Sequence, residues 1–201
     1  MSGQKRAKVK RGIPNMFTLG NAVCGFSAII CAILSSQTPT LLTLSAGLIF
    51  LAMVFDALDG RVARTIGVTS DLGASLDSLS DAVSFGLAPA VVLFQLLNGA
   101  VLMPLLWVAG VFYVGCALYR LARFNVETTD ASEDAHLWFS GLPSTGAAAV
   151  VCLGVFVNGL AFPTVLPYVI LVFTAVASGL MVSRIRFPHI NYFVRLLKRS
   201  K

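Results

Sequence analysis

Five of the nine acidic residues of this chain fall between Asp56 and Asp81, in the stretch DALDGRVARTIGVTSDLGASLDSLSD, and long apolar runs lead into it and out of it. A carboxylate inside such a run is costly unless something pairs with it, so these residues constrain how the helices must meet. Asp56 and Asp59 are three apart and share one helix face, which Gly60 and Arg64 continue. After a polar break at residues 65–71, Gly73, Asp77 and Asp81 recur four apart on a second helix. If the two helices run antiparallel about that break, four carboxylates converge. Four anions at one point repel each other unless cations neutralise them. An all-oxygen site of this charge suits one or two hard ions, Mg²⁺ or Mn²⁺, with Ca²⁺ also fitting, held by Asp56, Asp59, Asp77 and Asp81.

The rest of the chain is membrane-like. Of 201 residues, 57% are hydrophobic and 12% charged, and the mean hydropathy is +0.84; a soluble domain of this size carries about twice that share of charge. The net charge of +6 sits at the ends of apolar runs, which fits an anionic membrane surface and argues against nucleic acid as a partner. Cys24, Cys31, Cys116 and Cys152 lie within apolar runs and match neither a disulfide framework nor a zinc pattern. His136 and His189 have no metal-ligand spacing.

The expected fold is an all-α integral membrane domain, 1–201, of six transmembrane helices. Residues 1–13 form a basic juxtamembrane segment, retained rather than cleaved. A six-span core covers 14–183, and a basic amphipathic tail, 184–201, lies in the interface. The spans are read at 17–35, 41–64, 72–97, 100–122, 144–162 and 168–182, with Pro89 expected to kink the third. A polar segment, 123–143, follows the fourth. Six spans put both termini on one side, together with 65–71 and 123–143. All 15 Lys and Arg residues then lie on that side or at span ends facing it, while the turns at 37–40, 98–99 and 163–167 carry no charge. By the positive-inside rule this side is cytoplasmic, and the acidic stretch opens to the cytoplasm of a multi-pass cell-membrane protein.

The spacing D56-x2-D59-G60-x2-A63-R64-x8-G73-x3-D77-x3-D81 resembles the motif of the CDP-alcohol phosphotransferase family, with eight positions matched over 26 residues. That resemblance implies an enzyme that moves a phosphatidyl-type group from a CDP-linked lipid to an alcohol and releases CMP. It implies Asp81 as the catalytic general base. It also implies contacts to the CDP-lipid from Asn21, Asp59, Gly60, Ala63, Arg64, Gly73 and Asp77. For Asn21 an interhelical hydrogen bond is the other reading, and for the two glycines close helix packing is. A homodimer is expected by resemblance alone.

Two further stretches resemble the serine-using branch of that family. One is LDSLSDAVSFGLAPA from Leu76, in which Ala82 stands where glycerophosphate-using relatives tend to carry Lys. The other is YRLARFN from Tyr119, followed by FSGLP from Phe139. This implies CDP-diacylglycerol and L-serine as substrates and a phosphatidyl transfer giving phosphatidylserine. Arg120 and Arg123 then clamp the serine carboxylate or a donor phosphate, and Asn125 hydrogen-bonds serine. A cationic flank at a helix end is the bland alternative for the two arginines. Rival functions are the same transfer to inositol phosphate or glycerol phosphate, an archaeal-type CDP-lipid donor, a cation or proton transporter, and a structural protein with an ion clip. The uncharged opposite half of every span argues against a complete ion path.

Overall fold

The computed structural model describes residues 2–66, 71–129, 138–158, 165–183 and 186–188, with side chains at some of these positions, Ala63 and Arg64 among them, outside that description. The chain is helical almost throughout. It runs α1 (Ser2–Leu34), α2 (Thr40–Ile66), α3 (Asp71–Asp81), a π-helical segment (Ala82–Leu87), α4 (Ala88–Leu97), α5 (Met103–Thr129), β1 (Trp138–Ser140), α6 (Ser144–Val157), α7 (Leu166–Val182) and β2 (Arg186–Pro188).

Four stretches are long and apolar enough to cross a membrane: Asn15–Leu34, Thr40–Val62, Leu72–Leu97 and Met103–Val126. The third passes unbroken through α3, the π-helical segment and α4. The helices α6 and α7 are shorter, at 14 and 17 residues, or about 21 and 26 Å of rise. Helix α1 shows why the sequence folds this way. Met16, Leu19, Val23, Phe26, Ile30 and Ile33 are exposed, at helical spacing. On the opposite face Thr18, Asn21, Cys24, Ala28 and Ala32 are buried. Its most extensive packing is against α2, where Ala46, Ile49 and Ala52 are fully buried. Small side chains let the two backbones approach closely, and Ser45 Oγ donates to the Ala28 carbonyl at 2.8 Å across the contact. An apolar outer surface and a small-residue inner one are what a bilayer selects.

The irregularity expected at Pro89 takes the form of the π-helical segment before it. Proline has no N–H, so the carbonyl four residues earlier, on Phe85, loses its α-helical donor. The buried Tyr113 hydroxyl from α5 donates to that carbonyl instead, at 3.0 Å. The Ala88 N–H reaches back five residues to Val83. The backbone polar groups of the irregular stretch are thus met from inside the protein, as a membrane interior requires.

Several boundaries differ from the expectation. The break at 65–71 is shorter, because α2 continues to Ile66 and α3 begins at Asp71. The fourth span does not end at 122. Helix α5 runs on to Thr129, because Phe124 and Val126 extend its pattern beyond the two arginines. The amphipathic tail lies outside the described residues except for β2, which pairs antiparallel with β1, with Phe139 opposite Phe187. Both histidines are outside the description too. The corner after β1 depends on Gly141, whose φ is +83°. Any Cβ there would fall 2.6 Å from the Met181 carbonyl oxygen, so only glycine lets the FSGLP stretch seat against the end of α7.

Candidate functional site: an acidic cluster between α1, α2 and α3

Asp56 and Asp59 from α2 and Asp77 from α3 each place a carboxylate oxygen within 4.8 Å of the others. Three-residue spacing on α2 aims its two carboxylates the same way, and α3 supplies the third from across the groove. Asp59 is 6% exposed. Its Oδ2 accepts a hydrogen bond from Thr18 Oγ1 of α1 at 3.0 Å, in buried surroundings. Asp77 Oδ1 is buried and has no hydrogen-bond partner among the described residues. Three acidic side chains this close, with one oxygen inside and unsatisfied, repel each other unless a cation lies between them. The donor set is all oxygen, which fits Mg²⁺, Mn²⁺ or Ca²⁺ and not a soft metal.

The fourth carboxylate stands apart from this close cluster. Asp81 Oδ1 accepts from Asn21 Nδ2 at 3.1 Å. It is close enough for its charge to interact with those of Asp56 and Asp77. The expected convergence therefore resolves into a tight triad and a neighbour one helical turn along α3. Asn21 itself is fully buried.

The remaining candidates on α5 take separate partners. Arg120 is half-buried on α5; its Nη1 donates to Ser144 Oγ at the start of α6 at 3.2 Å, and its charge acts on Asp56. Arg123 points elsewhere: its Nη1 donates to the Val182 carbonyl at 3.1 Å and its Nη2 to that of Ser183 at 3.5 Å. These are end-of-helix carbonyls of α7, which a guanidinium satisfies well. Asn125 is exposed and its amide exchanges hydrogen bonds with Ser78 Oγ of α3, at 2.9 and 3.0 Å. Since α5 continues beyond both arginines, they are not a helix-end flank. Gly60 and Gly73 are half-buried on the motif helices. The side chains of Ala63 and Arg64 lie outside the described residues.

Thr18 and Ser144 were not singled out from the sequence. Thr18 carries a readable signal, since it stands three before Asn21 and so shares its helix face. Ser144 carries none, because nothing local ties the start of α6 to Arg120.

Fold and site together define a helical membrane protein with an acidic, metal-type cluster held between its spans. The model of the CDP-alcohol phosphatidyltransferase family matches residues 11–182, and the chain belongs to that family. Its relatives include several proteins named CDP-diacylglycerol–serine O-phosphatidyltransferase. The one from Mycobacterium leprae is 38% identical over 152 residues, 74% of this chain and 48% of that protein. The one from Bacillus subtilis is 33% identical over 178 residues, 88% of this chain and 90% of that protein. The one from Methanocaldococcus jannaschii is 35% identical over 145 residues, 72% of this chain and 63% of that protein. The chain spans about half the length of the mycobacterial relatives it matches.

Proposed function

We propose that this protein transfers the phosphatidyl group of CDP-diacylglycerol to the hydroxyl of L-serine, giving phosphatidylserine and CMP. The observation that carries the reading is the acidic cluster. Its spacing is that of the family motif, and its three mutually close carboxylates fit a divalent ion. The names of the relatives supply the acceptor. Asp56, Asp59 and Asp77 would hold the ion. Held there, a divalent ion would supply Lewis-acid polarisation of the attacked phosphorus and charge neutralisation for the leaving phosphate.

The protein's own groups do the rest. Asp81 takes the proton of the serine hydroxyl as it attacks. Thr18 holds one Asp59 oxygen and so fixes the orientation of that carboxylate. Gly60, Ala63 and Gly73 let the cytidine nucleotide approach the helix backbones, and Arg64 neutralises its phosphates. Arg120 is the better of the two arginines for the serine carboxylate, because it donates to Ser144 on the side of the acidic cluster that its charge reaches, whereas Arg123 is engaged with the end of α7.

The reading extends to topology. Six spans, counting the two shorter helices, put both termini and the site on the cytoplasmic face of the cell membrane. Spans of 14 and 17 residues fit by local thinning or by borrowing flanking residues. The working unit is a homodimer, in which the exposed apolar faces meet lipid and a second copy.

The test is CMP release from CDP-diacylglycerol by the purified protein, offered serine, inositol phosphate and glycerol phosphate in turn. The expected result is release with serine alone, abolished by chelation and restored by Mg²⁺ or Mn²⁺. Asp56→Asn and Asp77→Asn lose donor binding and turnover together. Release with glycerol phosphate or inositol phosphate instead of serine refutes the acceptor. Full turnover after exhaustive chelation refutes the metal.

A further inference from the structure

We propose that Asn21 is a positioning residue that fixes the Asp81 carboxylate from α1, and that it does not contact the nucleotide. The inference rests on the reading of Asp81 as the base. Asn21 is fully buried, so its side chain presents no surface to a ligand. Its amide is turned to Asp81, with Nδ2 donating to Oδ1 at 3.1 Å.

Asp81 needs such a partner because of where it stands. It is the last residue of α3, and the π-helical segment starts at the next residue. Its backbone is regular, with φ −63° and ψ −38°, which fixes the Cα–Cβ direction but leaves the rotation of the carboxylate about its side-chain torsions to be set by a partner. Helix α1 supplies a fixed reference. Ser84 Oγ, inside the π-helical segment, donates to the Asn21 carbonyl at 2.9 Å. One turn on, Gly25 allows close approach: a Cβ at that position would lie 2.7 Å from Ser84 Cα. Asn21 is therefore clamped through its side chain to Asp81 and through its backbone to the π-helical segment that follows. With Oδ1 engaged, Oδ2 is the oxygen that turns to the acceptor hydroxyl.

The amide is not there for stability. Its Oδ1 is buried with no hydrogen-bond partner among the described residues. An orphaned buried acceptor is unfavourable, and a leucine would fill similar space without it.

The experiment uses the full chain in detergent with CDP-diacylglycerol, serine and Mg²⁺. Asn21→Leu removes the donor at nearly constant volume, and Asn21→Ala removes it by truncation. Donor affinity is measured by titration and kcat by CMP release. Loss of one hydrogen bond to a charged group predicts kcat lower by roughly 10- to 150-fold in both variants, with donor affinity within about twofold of wild type. Weaker donor affinity at unchanged kcat places Asn21 in the nucleotide pocket and overturns the proposal. So does wild-type behaviour in both respects, or loss of the folded protein in both variants, which makes Asn21 structural. The underlying reading fails separately: no CMP release by wild-type protein sinks the activity, and full turnover by Asp81→Asn sinks the base.

Discussion

Replacing Gly25 by alanine tests the contact between α1 and the π-helical segment most directly. The added Cβ would sit 2.7 Å from Ser84 Cα. Carbon atoms in contact prefer about 3.5–4.0 Å, so the two segments must part by about 1 Å. The nearest obstacle includes backbone, which cannot swing aside as a flexible side-chain end can. Asn21 is one turn away on the same helix, and a shift of that size stretches its 3.1 Å bond to Asp81 towards 4 Å, beyond hydrogen-bond range. Two losses are expected together. Overpacking costs about 1–3 kcal/mol of stability, and kcat falls by roughly the 10- to 150-fold of a lost charge-assisted bond. Thermal unfolding in detergent reads the first and CMP release reads the second. Gly47→Ala is the control, since a Cβ there meets nothing within 4 Å; it gains about 1 kcal/mol of helix propensity at most. Gly25→Ala with wild-type melting and wild-type kcat refutes the reasoning, because the helices would then have room that the geometry denies them.

Three further outcomes are expected. Arg120→Ala raises the serine KM by roughly 10- to 150-fold, the loss of a charge-assisted bond, and leaves donor affinity near wild type. Arg123→Ala instead lowers the melting temperature, because the Val182 and Ser183 carbonyls lose their donor; if Arg123→Ala changes only serine KM, the division of roles is wrong. Cysteines introduced at Gly3 and Ser132 label from the cytoplasmic side alone, and labelling of either from outside alone overturns the topology.

The motif residues were legible because their chemistry is one-dimensional. Spacings of three and four fix a helix face wherever the helix lies, so Asp56 with Asp59, and Asp77 with Asp81, could each be paired on the sequence alone. The long apolar runs likewise fixed the four spanning stretches to within a few residues, since hydrocarbon thickness sets their length. The end of α5 was misjudged because two arginines read as a boundary, although helices continue through charge when flanking residues allow it.

What the sequence by itself determined is the four long apolar helices, the helix face each carboxylate occupies and the all-oxygen character of the cluster. What only tertiary structure decided is the division of labour inside that set. The four carboxylates stand as three plus one, with α1 bringing Asn21 to Asp81 and Thr18 to Asp59, 60 and 41 residues away in sequence. Two arginines three apart took different partners because Arg120 lies level with the start of α6 and Arg123, one turn on, with the end of α7. Helix periodicity is a property of neighbours along the chain, whereas hydrogen-bond partners across helices depend on packing depth, and that depth is set by small residues such as Gly25 whose role shows only once two backbones meet.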